Sequence, residues 1–139
     1  MTETTEPIAA FHDRVWAQGD LEAIDELFTA DCVVTDNNQT LRGPRALKDA
    51  TAGFRWAFPD VTLTVDDSML APDGRALVRW HAEGTHLGDY QGIEPAGTSL
   101  SYWGISVFRL ESGRIAESWI ASTLPEALDH LRAEAKRTL

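Results

Sequence analysis

The chain has 139 residues, a formal net charge of −10 and 43% hydrophobic residues, which predicts one globular domain spanning residues 1–139. An acidic surface repels phosphate backbones and anionic lipids, so we expect neither a nucleic acid nor a membrane as partner. The single cysteine, Cys32, excludes an intrachain disulfide and a multi-thiolate metal site, and no other metal-ligand spacing is present.

The N-terminal segment is polar and acidic, without the basic and apolar stretches of a signal peptide. No apolar run approaches the roughly 18 residues that a membrane span needs. These features predict a cytoplasmic protein.

Two amphipathic helices are predicted to open the chain. The apolar residues of the first recur at helical spacing: Ile8, Phe11, Val15 and Trp16. Gly19 ends this helix, and Asp20 is placed to cap a second helix whose apolar face carries Leu21, Ile24, Leu27 and Phe28.

The central and C-terminal parts of the chain change from helical to alternating periodicity. Residues 32–36 are predicted as a first strand, and a third helix begins at Gly43-Pro44 and ends before Pro59. Four strands follow, over residues 61–65, 78–83, 100–110 and 115–122, and a last helix begins near Thr123. Helices gathered before antiparallel strands predict an α+β fold, in which helices pack on a strongly curved sheet and enclose a pocket.

Five segments in this order and spacing resemble one known family, the SnoaL-like polyketide cyclases of the nuclear transport factor two-like superfamily. The segments are Phe58-Pro59-Asp60, Gly84-Thr85-His86-Leu87-Gly88, Gly92-Ile93-Glu94-Pro95-Ala96-Gly97, Phe108-Arg109-Leu110 and Gly113-Arg114-Ile115-Ala116-Glu117-Ser118-Trp119. The resemblance implies a cone-shaped fold, usually dimeric, that works without metal or organic cofactor. Family cyclases close a ring by intramolecular aldol condensation, and relatives open epoxides, isomerise or assist hydroxylation.

Two positions depart from the pattern that the resemblance implies. The family cyclases use an aspartate near the end of the last strand as acid/base and a histidine on the preceding strand to hold the enolate. Counting from the Phe108-Arg109-Leu110 segment places Ile120 at the aspartate position and Ser106 at the histidine position. The fold is therefore expected to carry over, whereas the aldol acid/base pair does not.

Chemistry in the pocket would then need another titratable group. Asp36 shares strand parity with Cys32, so it is a candidate inward-facing base, and the alternative is an aspartate that caps the following turn. His86 is a candidate for orienting a substrate oxygen, and the alternative is a loop histidine that bonds local backbone.

Alternation places Tyr102, Gly104 and Ser106 on one face of the long strand, which the family correspondence makes the pocket face. Tyr102 is a candidate proton donor to an oxyanion, Gly104 would deepen the pocket, and Ser106 would line it beside Ile120. A buried hydroxyl pair, bonded to each other or to water, is the structural alternative.

Aromatic residues are the remaining candidates for the pocket wall. Trp56 and Tyr90 are predicted to bind a flat substrate, with Trp103 and Trp119 as further wall residues, although aromatic core packing is the more common use.

The sequence thus predicts a cofactor-independent enzyme that cyclises or isomerises a hydrophobic, polyketide-like small molecule. The alternative is a non-catalytic ligand-binding or accessory domain. We also expect a homodimer through the convex sheet face, where Arg79, His81 and Glu83 alternate with inward residues.

Overall fold

The computed structural model describes residues 6–137, which form a curved, unclosed six-stranded sheet packed against helices. The elements, in chain order, are α1 (Glu6–Ala10), continued by a π-helical segment (Phe11–Ala17), α2 (Ala23–Leu27), β1 (Phe28–Asp36), β2 (Gln39–Arg42), α3 (Gly43–Ala57), β3 (Thr62–Leu70), β4 (Ala76–Thr85), β5 (Ser99–Glu111), β6 (Arg114–Ser122) and α4 (Leu124–Arg137).

The strand order across the sheet is β2-β1-β6-β5-β4-β3. Only β1 and β6 pair in parallel, and every other described pair of neighbours is antiparallel. The predicted α+β fold with a curved, mostly antiparallel sheet is confirmed. This strand order also makes β1 and β6 neighbours, so strands from the two ends of the sequence lie side by side in the sheet.

The short strand β2 is the element that the sequence pattern missed. It forms a hairpin with β1 through Asn37, whose φ of 53° lies in the left-handed region that asparagine tolerates. The β2 residues are mostly exposed and show no alternation of burial. A strand held mainly by backbone pairing leaves no periodic signal in the sequence.

The core lies between the concave sheet face and the helices. On β4 the predicted alternation is confirmed, because Val78, Trp80 and Ala82 are buried while Arg79 and Glu83 are exposed. Buried residues of the helices complete this core: Ile8, Phe11, Val15, Ile24, Leu47, Phe54 and Leu131.

None of the helices within residues 6–137 combines the length and the apolar character that a membrane crossing requires. The cytoplasmic location stays a prediction.

Candidate functional site

A cavity of about 110 Å³ lies between the concave sheet face and the helices. Its apolar lining includes Trp16, Phe28, Phe54, Leu63, Trp80 and Phe108. Among the predicted site residues, the structure places five in this lining: Asp36, Tyr90, Tyr102, Ser106 and Ile120.

Three of these residues form a row across neighbouring strands. Asp36 of β1 is the Cα partner of Ile120 on β6, and Ile120 is in turn the partner of Ser106 on β5. Residues paired in this way point to the same face of a sheet. Asp36 therefore lies beside Ile120 and in the same row as Ser106, the two positions at which the sequence departs from the family pattern.

Asp36 is held at the end of β1 by its neighbour Asn37. The Asn37 side chain accepts a hydrogen bond from the Ser122 backbone N–H at 3.0 Å and donates to Ser122 Oγ at 3.2 Å, which ties the ends of β1 and β6 together. Its Nδ2 also lies 3.3 Å from Asp36 Oδ1. Burial raises the pKa of the Asp36 carboxyl above its ordinary value, which favours a group that can both release and take up a proton.

Tyr90 and Tyr102 complete the polar side of the cavity near Asp36. Burial raises the pKa of both phenols, and the negative charge of Asp36 raises them further. Both rings are edge-on to Phe54, at centroid distances of 5.5 Å for Tyr90 and 6.2 Å for Tyr102. The phenols therefore remain protonated and available as hydrogen-bond donors.

His12 is a lining residue that the sequence interpretation missed. It lies on the π-helical segment, and its ring is edge-on to Phe108 at a centroid distance of 6.0 Å. Burial lowers its pKa from 6.5 to about 4, although a hydrogen bond with the Ile8 backbone acts in the opposite direction. The four-residue spacing of Ile8, His12 and Trp16 could have predicted that His12 lies on the apolar face of this helix.

We expect acid to destabilise the wild-type protein more than a His12→Gln variant. The pKa of folded His12, about 4, lies below the value of 6.5 expected in the unfolded chain. The resulting stabilisation is fully present above pH 6.5 and is lost as the pH falls through 4. Urea unfolding above pH 6.5 and again near pH 4 measures the change in the free energy of unfolding for each protein. An equal change in the two proteins would contradict the prediction.

Ser106 and Gly104 position a tryptophan. Trp80 Nε1 donates a hydrogen bond to Ser106 Oγ at 2.9 Å, so this hydroxyl is bonded to the indole rather than to Tyr102. A Cβ at position 104 would lie 2.5 Å from Trp80 Cζ2. The expectation that Gly104 deepens the pocket is therefore wrong, because the Trp80 ring fills the space that the glycine leaves.

Two other predicted site residues lie away from the cavity lining. His86 is 1% exposed and stacks on Phe58 at a centroid distance of 5.1 Å, where its Nε2 has no hydrogen-bond partner within residues 6–137. Trp56 is 65% exposed, and its indole covers Gly88. The structure therefore gives neither residue contact with a ligand in this cavity.

The remaining predicted wall residues, Trp103 and Trp119, are also outside the cavity. They are 55% and 38% exposed, because strand parity turns both away from the concave face. Across residues 6–137, no group of three or more His, Cys, Asp or Glu side chains is arranged to hold a metal ion.

Comparisons with known proteins agree with this architecture. A candidate SnoaL-like polyketide cyclase from Jannaschia sp. CCS1 superposes with a TM-score of 0.83 at 20% identity, covering 92% of this chain and 90% of the other, which is a likeness of fold. IdmH, a candidate polyketide cyclase from Streptomyces antibioticus, is 26% identical with a TM-score of 0.77 over 91% of this chain and 96% of its own.

AclR, a candidate hydroxylase from Streptomyces galilaeus, is also 26% identical, with a TM-score of 0.74 over 91% of this chain and 90% of its own. A sequence search of curated proteins finds no significant match. The sequence model of the SnoaL-like polyketide cyclases, however, matches residues 6–128. With nearly the whole chain matched and the same cup-shaped architecture in its structural relatives, the protein belongs to the SnoaL-like polyketide cyclase family.

Proposed function

We propose that this protein is an enzyme, independent of metal and organic cofactors, that cyclises or isomerises an uncharged, polyketide-like ketone through an enolate. The observation that carries the proposal is the pairing of Asp36 with Ile120 inside the cavity. A carboxyl at Asp36 reaches the same region as the family aspartate, whose position is occupied by Ile120. The acid/base group has thus moved by one strand.

Enolisation requires a base for a carbon-bound proton and a donor for the oxygen. The Asp36 carboxylate takes the proton from the carbon beside the carbonyl, and the electron pair of that C–H bond forms the C=C bond of the enolate. The negative charge moves to the oxygen, where a hydrogen bond from Tyr102 or Tyr90 stabilises it. Where a C=C bond is conjugated with the enolate, protonated Asp36 returns the proton to the far carbon of this dienolate, which isomerises the substrate. Alternatively, the enolate carbon attacks a second carbonyl of the same molecule, which closes a ring, and protonated Asp36 gives its proton to the alkoxide that forms.

The charge of the cavity favours a neutral substrate. The lining contributed by residues 6–137 includes no lysine or arginine, so a buried carboxylate or phosphate would lack a counter-charge. The volume of about 110 Å³ is slightly below that of a cavity known to hold benzene, about 150 Å³. We therefore expect the cavity to enclose at most one ring of the substrate and any larger part to extend past the exposed Gln39.

Hydrogen–deuterium exchange tests this proposal without knowledge of the natural substrate. Cyclohexanone has exchangeable protons on both carbons beside its carbonyl, and it is a single ring that can extend partly past Gln39 at the cavity lining. Incubated in D₂O with the protein, it should lose the NMR signals of these protons faster than in buffer alone. No acceleration at saturating protein, when binding is detected by calorimetry, would overturn the enolate mechanism.

The second candidate function is a ligand-binding or accessory domain without catalysis. The replacement of both family positions by Ser106 and Ile120 favours it. The same experiment separates the two functions, because binding without proton exchange is expected only of the non-catalytic domain.

We also propose that two copies associate through the convex sheet face. Trp103 and Trp119 are exposed there, and half-buried Ile105 and Val107 lie between them on the same face. Exposed apolar patches of this kind are typical of protein–protein interfaces. We expect a dimer at roughly 20 μM protein and a monomer after Trp103→Asp. Light scattering measures both, and a wild-type monomer would contradict the proposal.

A further inference from the structure

The deep end of the cavity contains a second polar group, two residues before Ile120 on β6. Ser118 lines the cavity, is 3% exposed, and its Oγ has no hydrogen-bond partner among the described residues. A buried hydroxyl without a partner has lost its hydrogen bonds to water and gained none in exchange. Ser118 thus gains from any ligand atom that completes its hydrogen bonding.

His12 lies over the same part of the sheet. Its ring contacts Phe108 edge-on, and Phe108 is the Cα partner of Ser118. Both His12 and Ser118 line the cavity. The N–H of neutral His12 donates to the Ile8 backbone, so its other ring nitrogen is left as an acceptor, whereas the Ser118 hydroxyl offers a donor and an acceptor. Together they suit an uncharged oxygen function, because Ser118 can donate to a hydroxyl or a carbonyl and His12 can accept from a hydroxyl.

The two polar ends of the cavity are separated along the strands. Ser118 pairs with the buried Val34, whereas Ile120 pairs with the half-buried Asp36, two residues nearer the exposed β1–β2 turn. Two residues of a strand span about 7 Å. A six-membered ring with oxygen atoms at opposite positions covers most of this separation, and hydrogen bonds to its two oxygens can bridge the rest.

We propose that His12 and Ser118 form a recognition site for an uncharged hydroxyl or carbonyl oxygen on the side of the substrate ring opposite the reacting ketone. The position of the reacting ketone rests on the proposed function of Asp36, whereas binding of the second oxygen does not. The substrate class is therefore a neutral ring compound with oxygen functions at both ends.

Three ring compounds test this site by calorimetry at pH 7. 4-Hydroxycyclohexanone carries the second oxygen, cyclohexanone lacks it, and 4-oxocyclohexanecarboxylate carries a charged group in its place. We expect the wild-type protein to bind 4-hydroxycyclohexanone about tenfold more tightly than cyclohexanone, as one additional buried hydrogen bond would give. The carboxylate should bind more weakly than either neutral compound. Equal affinity for the two neutral compounds, or tighter binding of the carboxylate, would overturn the proposal.

Ser118→Ala and His12→Phe assign the preference to these side chains. Each should reduce the affinity ratio between 4-hydroxycyclohexanone and cyclohexanone toward one, a readout that a purely structural role would not move. If one variant does not fold, the other variant and the wild-type affinity ratio still test the proposal. An unchanged ratio in a folded variant would show that the replaced side chain is not part of the site. Accelerated exchange of cyclohexanone with no preference for the hydroxyl would remove this inference alone. A preference without exchange would remove the enolate mechanism alone.

Discussion

Replacing Asp36 by Asn should slow the protein-catalysed proton exchange of cyclohexanone by about 10²–10⁴-fold, the usual contribution of a positioned acid/base group. The amide has nearly the same shape and keeps an oxygen for the hydrogen bond from Asn37, but it cannot take up the proton. NMR in D₂O measures the rate, and calorimetry with cyclohexanone measures whether binding survives. Wild-type exchange by the variant would exclude Asp36 as the base.

Although Asp36→Asn should lose activity, it should not lose stability. Burial raises the pKa of Asp36 in the folded protein above its ordinary value of 3.8. The folded protein is therefore most stable while this carboxyl is protonated, and that stability is lost as the pH rises through the folded pKa. At pH 7 the wild type therefore carries the cost of a buried charge, and Asp36→Asn should melt at the same or a higher temperature. A lower melting temperature would show that the ionised carboxylate has a stabilising partner.

The exposed Asp31 on the same strand provides the matched control. Asp31→Asn makes the same chemical change outside the cavity, so we expect it to leave proton exchange and its pH profile unchanged. The wild-type rate should fall on the acid side with an apparent pKa above 3.8, because only ionised Asp36 acts as base. A loss of exchange in Asp31→Asn would point to net charge rather than to a positioned carboxyl.

Gly104→Ala should destabilise the protein by about 2–4 kcal/mol, which combines overpacking with disruption of a buried hydrogen bond. The added methyl group would lie 2.5 Å from Trp80 Cζ2 and 2.9 Å from Ser122 Cβ. A rigid indole cannot bend away, so the ring must shift, and its hydrogen bond to Ser106 is strained or lost. Urea unfolding measures the change in the free energy of unfolding.

Two further variants make this result specific. Gly53→Ala adds a methyl group at an exposed position of α3 with no atom within 4 Å, so it should stabilise the protein by about 0.5–1 kcal/mol. Trp80→Phe removes the part of the ring that meets position 104, so Gly104→Ala should cost less in that background. A Gly104→Ala effect no larger than that of Gly53→Ala would show that Trp80 does not pack across the glycine.

Strand parity explains why part of the site was predictable from the sequence. Tyr102 and Ser106 follow a strict period of two on one long strand, and the structure places both in the cavity lining. Parity also fixes Trp103 on the opposite face, where it is exposed. The aromatic type of a residue was the weaker guide, because an indole packs equally well in a core, on a surface or against a ligand.

The sequence by itself determined the fold class, the family and the inward parity of Asp36, because these depend on local periodicity and on short segments in a fixed order. Only the tertiary structure decided which separate segments meet. The parallel pairing of β1 with β6 puts Asp36 beside Ile120, and the packing of the first helix on the sheet puts His12 over Phe108. Such contacts join residues far apart in the chain, and no local pattern records the register or the angle at which two elements pack.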